Sequence, residues 1–496
     1  MLVGVTGFEP AASSSRTTRA TKLRHIPMLA GVPANNCFSI AGHKWDCEIQ
    51  GSVRWIIVGD SLTTVSSSTG KVPYMTARPA TGDTNSPSRD SAITSRTWIR
   101  VGLAMFAVGF GTNLFAPMLK VYRDQDGISE ASVTAMFGIY AAGLVPALLI
   151  FGPISDHYGR RAVVRPALIL VAVASGILAA GSEAPEWVLY VGRWIMGFGV
   201  GMAMSSGSAW IKQLSVDRPS AGPRRATIVL SAGFGGGPLI AAQFAQFVPA
   251  PQVTPYLLHI ALVLVTVPLV WGVPETQFPA AGRVTRPPLV PRIALTGRFF
   301  WAVAAWAPWV FGTATVAFTS IPGFVTDNVA YPIAYLGLIS GVGMFSGVFI
   351  QPVAAQLASR GWLPLSVVGL GAASVGLLVG GIAVELGSAL LVVPAAIILG
   401  CSYGIMMVSG LREVEIIAEP HELGALIGVF YTLTYTGFAV PFVLAVLGPF
   451  VGEVFGIGPV RGFIACLAFG VVVCLVSTVP VARAASRAVA HPRREI

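Results

Sequence analysis

The chain has 496 residues, of which 54% are apolar or aromatic and only 11% are charged, and its mean hydropathy is +0.73. Soluble domains carry about 25% charged residues, and 32 basic plus 22 acidic side chains cannot coat a water-exposed surface on a chain of this length. This excludes a soluble enzyme, a disordered chain and a secreted disulfide scaffold, and selects a polytopic membrane protein. The net charge of +10 does not indicate a nucleic-acid partner, because the basic residues fall in short connections between apolar segments. Glycine (56) and proline (35) are abundant, as suits membrane helices whose broken backbone groups are satisfied by neighbours. Cys37, Cys47, Cys401, Cys466 and Cys474 include no close-spaced pair. They read as small core residues, with no disulfide framework, metal site or cofactor.

Residues 1–95 form a separate N-terminal extension, rich in Ser, Thr, Arg and Pro. Its longest apolar run, Trp55-Ile56-Ile57-Val58-Gly59, is too short to span, and no signal peptide opens the chain. The stretch from Gly4 to Arg16, GVTGFEPAASSSR, resembles a recurring conceptual translation of tRNA-gene sequence in bacterial genomes. That resemblance implies translation beginning at Met75; the other reading is a disordered cytoplasmic tail. No chemistry is assigned to this region.

From residue 98 onward, twelve stretches reach the roughly 20 apolar residues a bilayer core requires. They cover 99–121, 131–152, 163–182, 187–211, 226–248, 254–273, 299–323, 333–357, 362–384, 387–411, 423–448 and 461–481. The longest connection, from Pro274 to Arg298, carries Arg283, Arg286, Arg292 and Arg298. It divides the chain into a first half (96–275), a linker (276–298) and a second half with a short basic tail (299–496). The expected fold is an all-α integral membrane protein, twelve transmembrane helices in two pseudo-symmetric six-helix halves. With the segment before span one cytoplasmic, nineteen Lys and Arg fall on the cytoplasmic side, and three (Lys120, Arg123 and Arg461) on the other. This asymmetry predicts both termini inside.

Four motifs follow in chain order. Between spans two and three stands GPISDHYGRR, with Gly152, Asp156, Gly159, Arg160 and Arg161. It resembles the signature loop G-x-x-x-D-x-x-G-R-[KR] of the major facilitator superfamily. The glycines permit a tight turn, and a carboxylate among arginines can latch one conformation of a rocking carrier. The resemblance further implies that Asp156 approaches the start of span eleven, near Pro420, His421 and Glu422. Span four, with Arg193 followed by Gly197, Gly199 and Gly201, resembles that family's intramembrane arginine motif. Arg193 either faces a cavity, in proton coupling or anion attraction, or snorkels to the interface. Span five, with Gly233, Gly237 and Pro238, resembles the family's antiporter motif, which marks proton-driven exporters; alanines stand at its last two positions. Val273-Pro274-Glu275-Thr276 resembles the P-E-T that follows span six in many members. The loop between spans eight and nine is a degraded signature loop that keeps Arg360 and Gly361 but lacks the Asp.

Proton coupling needs a titratable group with alternating access, and the first-half spans hold no mid-membrane Asp or Glu. His259 in span six has a suitable free pKa, and equally suits a hydrogen-bonded packing role. Glu413 at the end of span ten could pair with Arg412 or with the first-half arginines, or be a solvated charge. For the midplane substrate cavity, the candidates are Asn113, Arg193, Trp306, Trp309, Gln351, Tyr403, Tyr431 and Tyr435. Such a cavity suits hydrophobic or amphipathic small molecules. No catalytic constellation and no phosphate-cradling loop occur, so neither an enzyme nor an ATP-driven pump is expected. The expected function is alternating-access transport in the plasma membrane by a monomer, as proton-coupled efflux. A metabolite importer or facilitator and a non-transporting membrane sensor are the alternatives.

Overall fold

The computed structural model describes residues 37–40, 44–49, 53–58, 61–66, 96–216, 221–276, 290–360, 364–419 and 422–490. Met75, Arg218, Arg283, Arg286, Gly361, Pro420, His421, Arg493 and Arg494 lie outside them. The chain divides into two units, one within Val5–Ser88 and one running on from Arg89.

In the first unit, four strands form an antiparallel meander: β1 (Cys37–Ile40), β2 (Lys44–Ile49), β3 (Val53–Val58) and β4 (Ser61–Ser66). Runs such as VRWIIV are β-branched and aromatic, which suits a pleated strand. The register sets Cys37 opposite Cys47, although ten residues separate them in sequence. The expectation for this region is a start at Met75 or a disordered tail, and it names no strands; runs of four to six residues give periodicity too little length to register.

In the second unit, twelve helices are long and apolar enough to cross a membrane. They are α1 (Thr97–Asp126), α2 (Glu130–Tyr158), α3 (Arg160–Ala180), α4 (Trp187–Leu214), α5 (Arg224–Phe247), α6 (Thr254–Trp271), α7 (Gly297–Asn328), α8 (Pro332–Ala358), α9 (Leu365–Glu385), α10 (Ala389–Ile417), α11 (Leu423–Val454) and α12 (Gly458–Arg483). Each matches one predicted stretch. Several overrun it, because helices continue past the apolar core on polar residues. The extension of α1, for example, carries a Lys120–Asp124 ion pair of 3.0 Å one turn apart.

The packing is duplicated. In the first half α1 lies on α5, α2 on α4, and α3 on both α4 and α6; in the second, α7 lies on α11, α8 on α10, and α9 on both α10 and α12. The halves meet along two seams, α5–α8 and α2–α11. A Cβ added at Gly197 or Gly201 would collide with the carbonyls of Tyr140 or Leu144 on α2. One added at Gly400 or Gly404 would collide with those of Gly343 or Gly347 on α8. The offset is 203 residues in both cases (197 to 400, 201 to 404), so one close helix crossing is built twice.

Among the described residues four of the spans are irregular, α8 by a break at Ile350. α1 is interrupted at Leu114. α7 holds π-turns at Phe300–Ala304 and Val316–Ser320, the second closed by the Ile321 amide donating to the Val316 carbonyl at 3.1 Å. α11 tightens into a 3₁₀ turn over Thr436–Ala439. Interruptions of this kind accompany functional sites in membrane carriers.

Candidate functional site

The signature loop is one residue long. Gly159, at φ +98°, joins α2 to α3, and a Cβ there would come within 2.5 Å of Glu275 Oε2. The Arg160 and Arg161 amides donate to Glu275 Oε1 and Oε2, both at 2.9 Å. A carboxylate thus caps the first turn of α3, where unpaired amides and the helix dipole favour negative charge. Around it, Thr276 Oγ1 donates to Gln213 Oε1 at 2.6 Å, and Trp210 Nε1 to the Pro274 carbonyl at 3.2 Å. Arg160 pairs with Asp156 at 2.6 Å and donates to Ser155 Oγ at 2.6 Å. Its head is 8% exposed, that of Asp156 60%. Among the described residues these partners come from α2, α4 and the end of the first half, and Pro420 and His421, near which Asp156 is expected to reach α11, lie outside the described residues. Gly152 has open space around it.

Arg193 on α4 is completely buried, so it does not snorkel. Its guanidinium lies 4.5 Å from the Phe115 ring centroid, 4.8 Å from Tyr140 and 5.7 Å from Phe137. Nε donates to the Met136 carbonyl at 3.4 Å and Nη1 to the Thr112 carbonyl at 3.5 Å, while Nη2 has no hydrogen-bond partner. Desolvated cation–π contacts return up to about 2 kcal/mol each, against roughly 3 kcal/mol or more for a charge at mid-membrane.

The same rings reach the second half. Phe137 and Tyr140 pack on Phe438 of α11, at 5.2 and 5.7 Å between centroids. Phe438 contacts Phe311 and Tyr435, and Phe311 stacks on Tyr435 at 4.6 Å and on Tyr403 at 5.5 Å. Rings from α2, α7, α10 and α11 therefore form one packed aromatic cluster beside Arg193, at the α2–α11 seam. Of the predicted cavity residues, Tyr403 and Tyr435 belong to it. Tyr431 is buried on the same helix as Tyr435, with its hydroxyl unpartnered. Asn113 lies at the α1 interruption, where Nδ2 donates to the Phe234 carbonyl at 3.3 Å and Oδ1 is unpartnered.

Three predicted cavity residues do not join these rings. Trp306 donates to the Ala302 carbonyl of its own helix at 2.7 Å. Trp309 packs beside Gly470 of α12, where an added Cβ would meet it at 3.4 Å. Gln351 starts the terminal stretch Gln351–Arg360 of α8. The sequence reading missed Phe115, Phe137, Tyr140, Phe311 and Phe438. The i, i+3 spacing of Phe137 and Tyr140 was the available signal, since it places both rings on one helix face.

His259 is fully buried with both ring nitrogens engaged, Nδ1 with Ser175 Oγ at 2.6 Å and Nε2 with the Ala107 carbonyl at 3.0 Å. It ties α6 to α3 and α1, and this geometry favours packing over proton exchange. Glu413 faces Arg412 and Arg298, both outside the first half, and its Oε2 is unpartnered. Cβ atoms added at Gly233 and Gly237 would strike the Phe106 and Phe110 carbonyls of α1. Pro238 faces the other way, its carbonyl 2.6 Å from a Cβ built on Gly337 of α8. The antiporter-like run therefore joins α5 to its own half and to the α5–α8 seam.

Twelve spans, duplicated packing and an aromatic cluster joining the halves suit the architecture of a multi-pass membrane carrier. A profile of the Major Facilitator Superfamily matches residues 101–441. The chain belongs to that superfamily, and is a membrane transporter rather than an enzyme. It is 32% identical to the multidrug resistance protein MdtL of Klebsiella pneumoniae (strain 342) over 130 residues, 26% of this chain and 29% of that protein. It is 29% identical to inositol transporter 4 of Arabidopsis thaliana over 126 residues, 25% of this chain and 21% of that protein. The chain thus spans less than a third of the length of these curated relatives. Among solved structures it resembles the nucleoside transporter NupG (TM-score 0.61, 13% identity, 77% of this chain and 98% of that one). It also resembles a bacterial homolog of the human lysosomal transporter Spinster, solved inward-facing and unoccupied (TM-score 0.59, 13% identity, 82% of this chain and 100% of that one).

Proposed function

We propose that this carrier exports a small hydrophobic or amphipathic compound in exchange for protons, by rocking its two halves about the aromatic cluster. It works as a monomer in the plasma membrane, with both termini and the signature loop in the cytoplasm. The observation that carries the reading is the continuous ring cluster linking Tyr140 and Phe137 on one half to Phe438, Phe311, Tyr435 and Tyr403 on the other. Stacked rings are an apolar surface with polar edges, which suits a flat amphipathic solute. Parting α2 from α11 would open that surface to one side of the membrane. The antiporter-like run of α5 and the likeness to MdtL support export. The test is flux in everted vesicles across a panel of aromatic dyes, with and without an imposed pH gradient. Gradient-driven accumulation, abolished by an uncoupler, is the expected result; flux indifferent to the gradient rejects exchange.

A metabolite importer or facilitator is the second reading. It is favoured because, among the described residues, the carboxylates of the spans sit near helix ends, as with Asp124, Asp126, Glu130, Glu385, Glu413 and Glu453. The likeness to an inositol transporter also supports it. Saturable downhill flux of a polyol without proton movement would select it.

A further inference from the structure

We infer that the aromatic cluster takes an organic anion: an apolar or aromatic body bearing one negative charge that sits on Arg193. The inference rests on reading the cluster as the substrate site, and it narrows the compound from hydrophobic or amphipathic to anionic.

Among the described residues, Arg193 is a fully buried cation with no acid beside it. The ionisable side chains that face it are Tyr140, Tyr256 and Tyr122, which are neutral at physiological pH. The acids at the far end of these helices are engaged elsewhere: Asp126 accepts from Gln252 at 2.8 Å, Glu130 pairs with Arg123 at 3.6 Å, and Asp124 with Lys120. The second half supplies no counter-charge at the equivalent place, because the residue 203 positions on is Ala396. Buried charges are normally paired, and an arginine inside a membrane normally faces a partner or a cavity.

The protein meets the charge only in part. Two donors reach backbone carbonyls at 3.4 and 3.5 Å, beyond the usual N–H···O range, and Nη2 reaches nothing. Rings cover the remaining faces of the guanidinium, and they offer no acceptor able to compete with a carboxylate or sulfonate. The covering rings Phe137 and Tyr140 are the same ones that pack on Phe438 across the seam. Separation of α2 from α11 would thus bare the aromatic wall that covers Arg193, and the unpaired nitrogen lies one ring behind it, reached when Phe137 or Tyr140 turns aside. An acid head on an apolar body matches both. The unpartnered Tyr431 hydroxyl is a further donor on the second half.

The test uses the purified full chain and three probes with one shared body: naphthoate, naphthylmethanol and naphthylmethylammonium. Binding is read from the shift in thermal unfolding midpoint with probe concentration. The expected result is naphthoate binding about tenfold or more tighter than the alcohol, with the ammonium weakest. In Arg193→Gln this preference falls below about threefold, and in Arg193→Lys it is partly kept. Equal binding of the three, tightest binding of the ammonium, binding of none, or an undiminished preference in Arg193→Gln overturns the inference. Should Arg193→Gln fail to fold, the wild-type ranking and the lysine variant decide. Proteoliposome flux separates this inference from the transport reading. Naphthoate that binds but never crosses counts against transport alone; ammonium that crosses while naphthoate does not counts against the anion alone.

Discussion

In the first half, α4 carries Arg193 four residues before the glycine that presses on α2. In the second, α10 carries Ala396 four residues before Gly400, which presses on α8 in the same way. The loop after α2 is held by the Asp156–Arg160 pair and by the Glu275 carboxylate, whereas the stretch after α8 keeps an arginine, Arg360, and has no Asp. Duplication has thus preserved the backbone-to-backbone approach of this crossing, while the buried arginine and the Asp-bearing loop stand in the first half alone. Packing is a demand of the fold, and charge a demand of the task.

The sharpest way to break this comparison is to substitute the matched glycines. Gly197→Val and Gly400→Val each drive a side chain into a backbone carbonyl. Overpacking costs about 1–3 kcal/mol where side chains can move and more where the neighbour is backbone. Both variants should lose most folded protein, read as monodisperse yield and thermal midpoint; tolerance of one alone would mean that the two crossings are not equivalent. Next is His259→Ala, which removes the tie from α6 to α3 and α1. It should cost about 2–4 kcal/mol, with the pH profile of transport per folded molecule unchanged. A displaced pH profile at full stability would return His259 to proton coupling.

Glu275→Ala should cost roughly 1–3 kcal/mol by uncapping two amides of α3, and Glu275→Gln less, since an amide can still accept one of them. If both variants melt like the parent protein, the cap contributes nothing. The smallest effect on stability is expected from Asp156→Asn, within about 1 kcal/mol because that carboxylate is largely exposed. Its flux should nonetheless fall about tenfold, roughly 1.4 kcal/mol in the barrier. Unimpaired flux in this variant would remove the signature loop from the transport cycle.

What could be read beforehand follows the range of the interactions. The twelve spans were legible because span length is a local property of composition, and the Asp156–Arg160 pair because four residues separate its members. Arg193 announced itself as a lone charge among apolar residues. The rings around it did not, because Phe115, Phe137, Phe311 and Phe438 come from four different spans and only tertiary packing selects them from 26 phenylalanines. Glu275 was passed over as a marker of the end of a span; its partners lie more than a hundred residues upstream. Trp306 and Trp309 follow the first π-turn of α7 and lie apart from the ring cluster.

α7 carries two π-turns. Each is closed by a bond from residue i+5 back to residue i, as in the Ala305 amide donating to the Phe300 carbonyl at 2.8 Å, and so packs one residue more into its turn than an α-turn does. A helical wheel drawn through α7 therefore slips out of phase twice. Side chains assigned to one face before Ala304 belong to another after it, and alignments of α7 with unbulged helices would need a single-residue gap at each site to keep their faces in register.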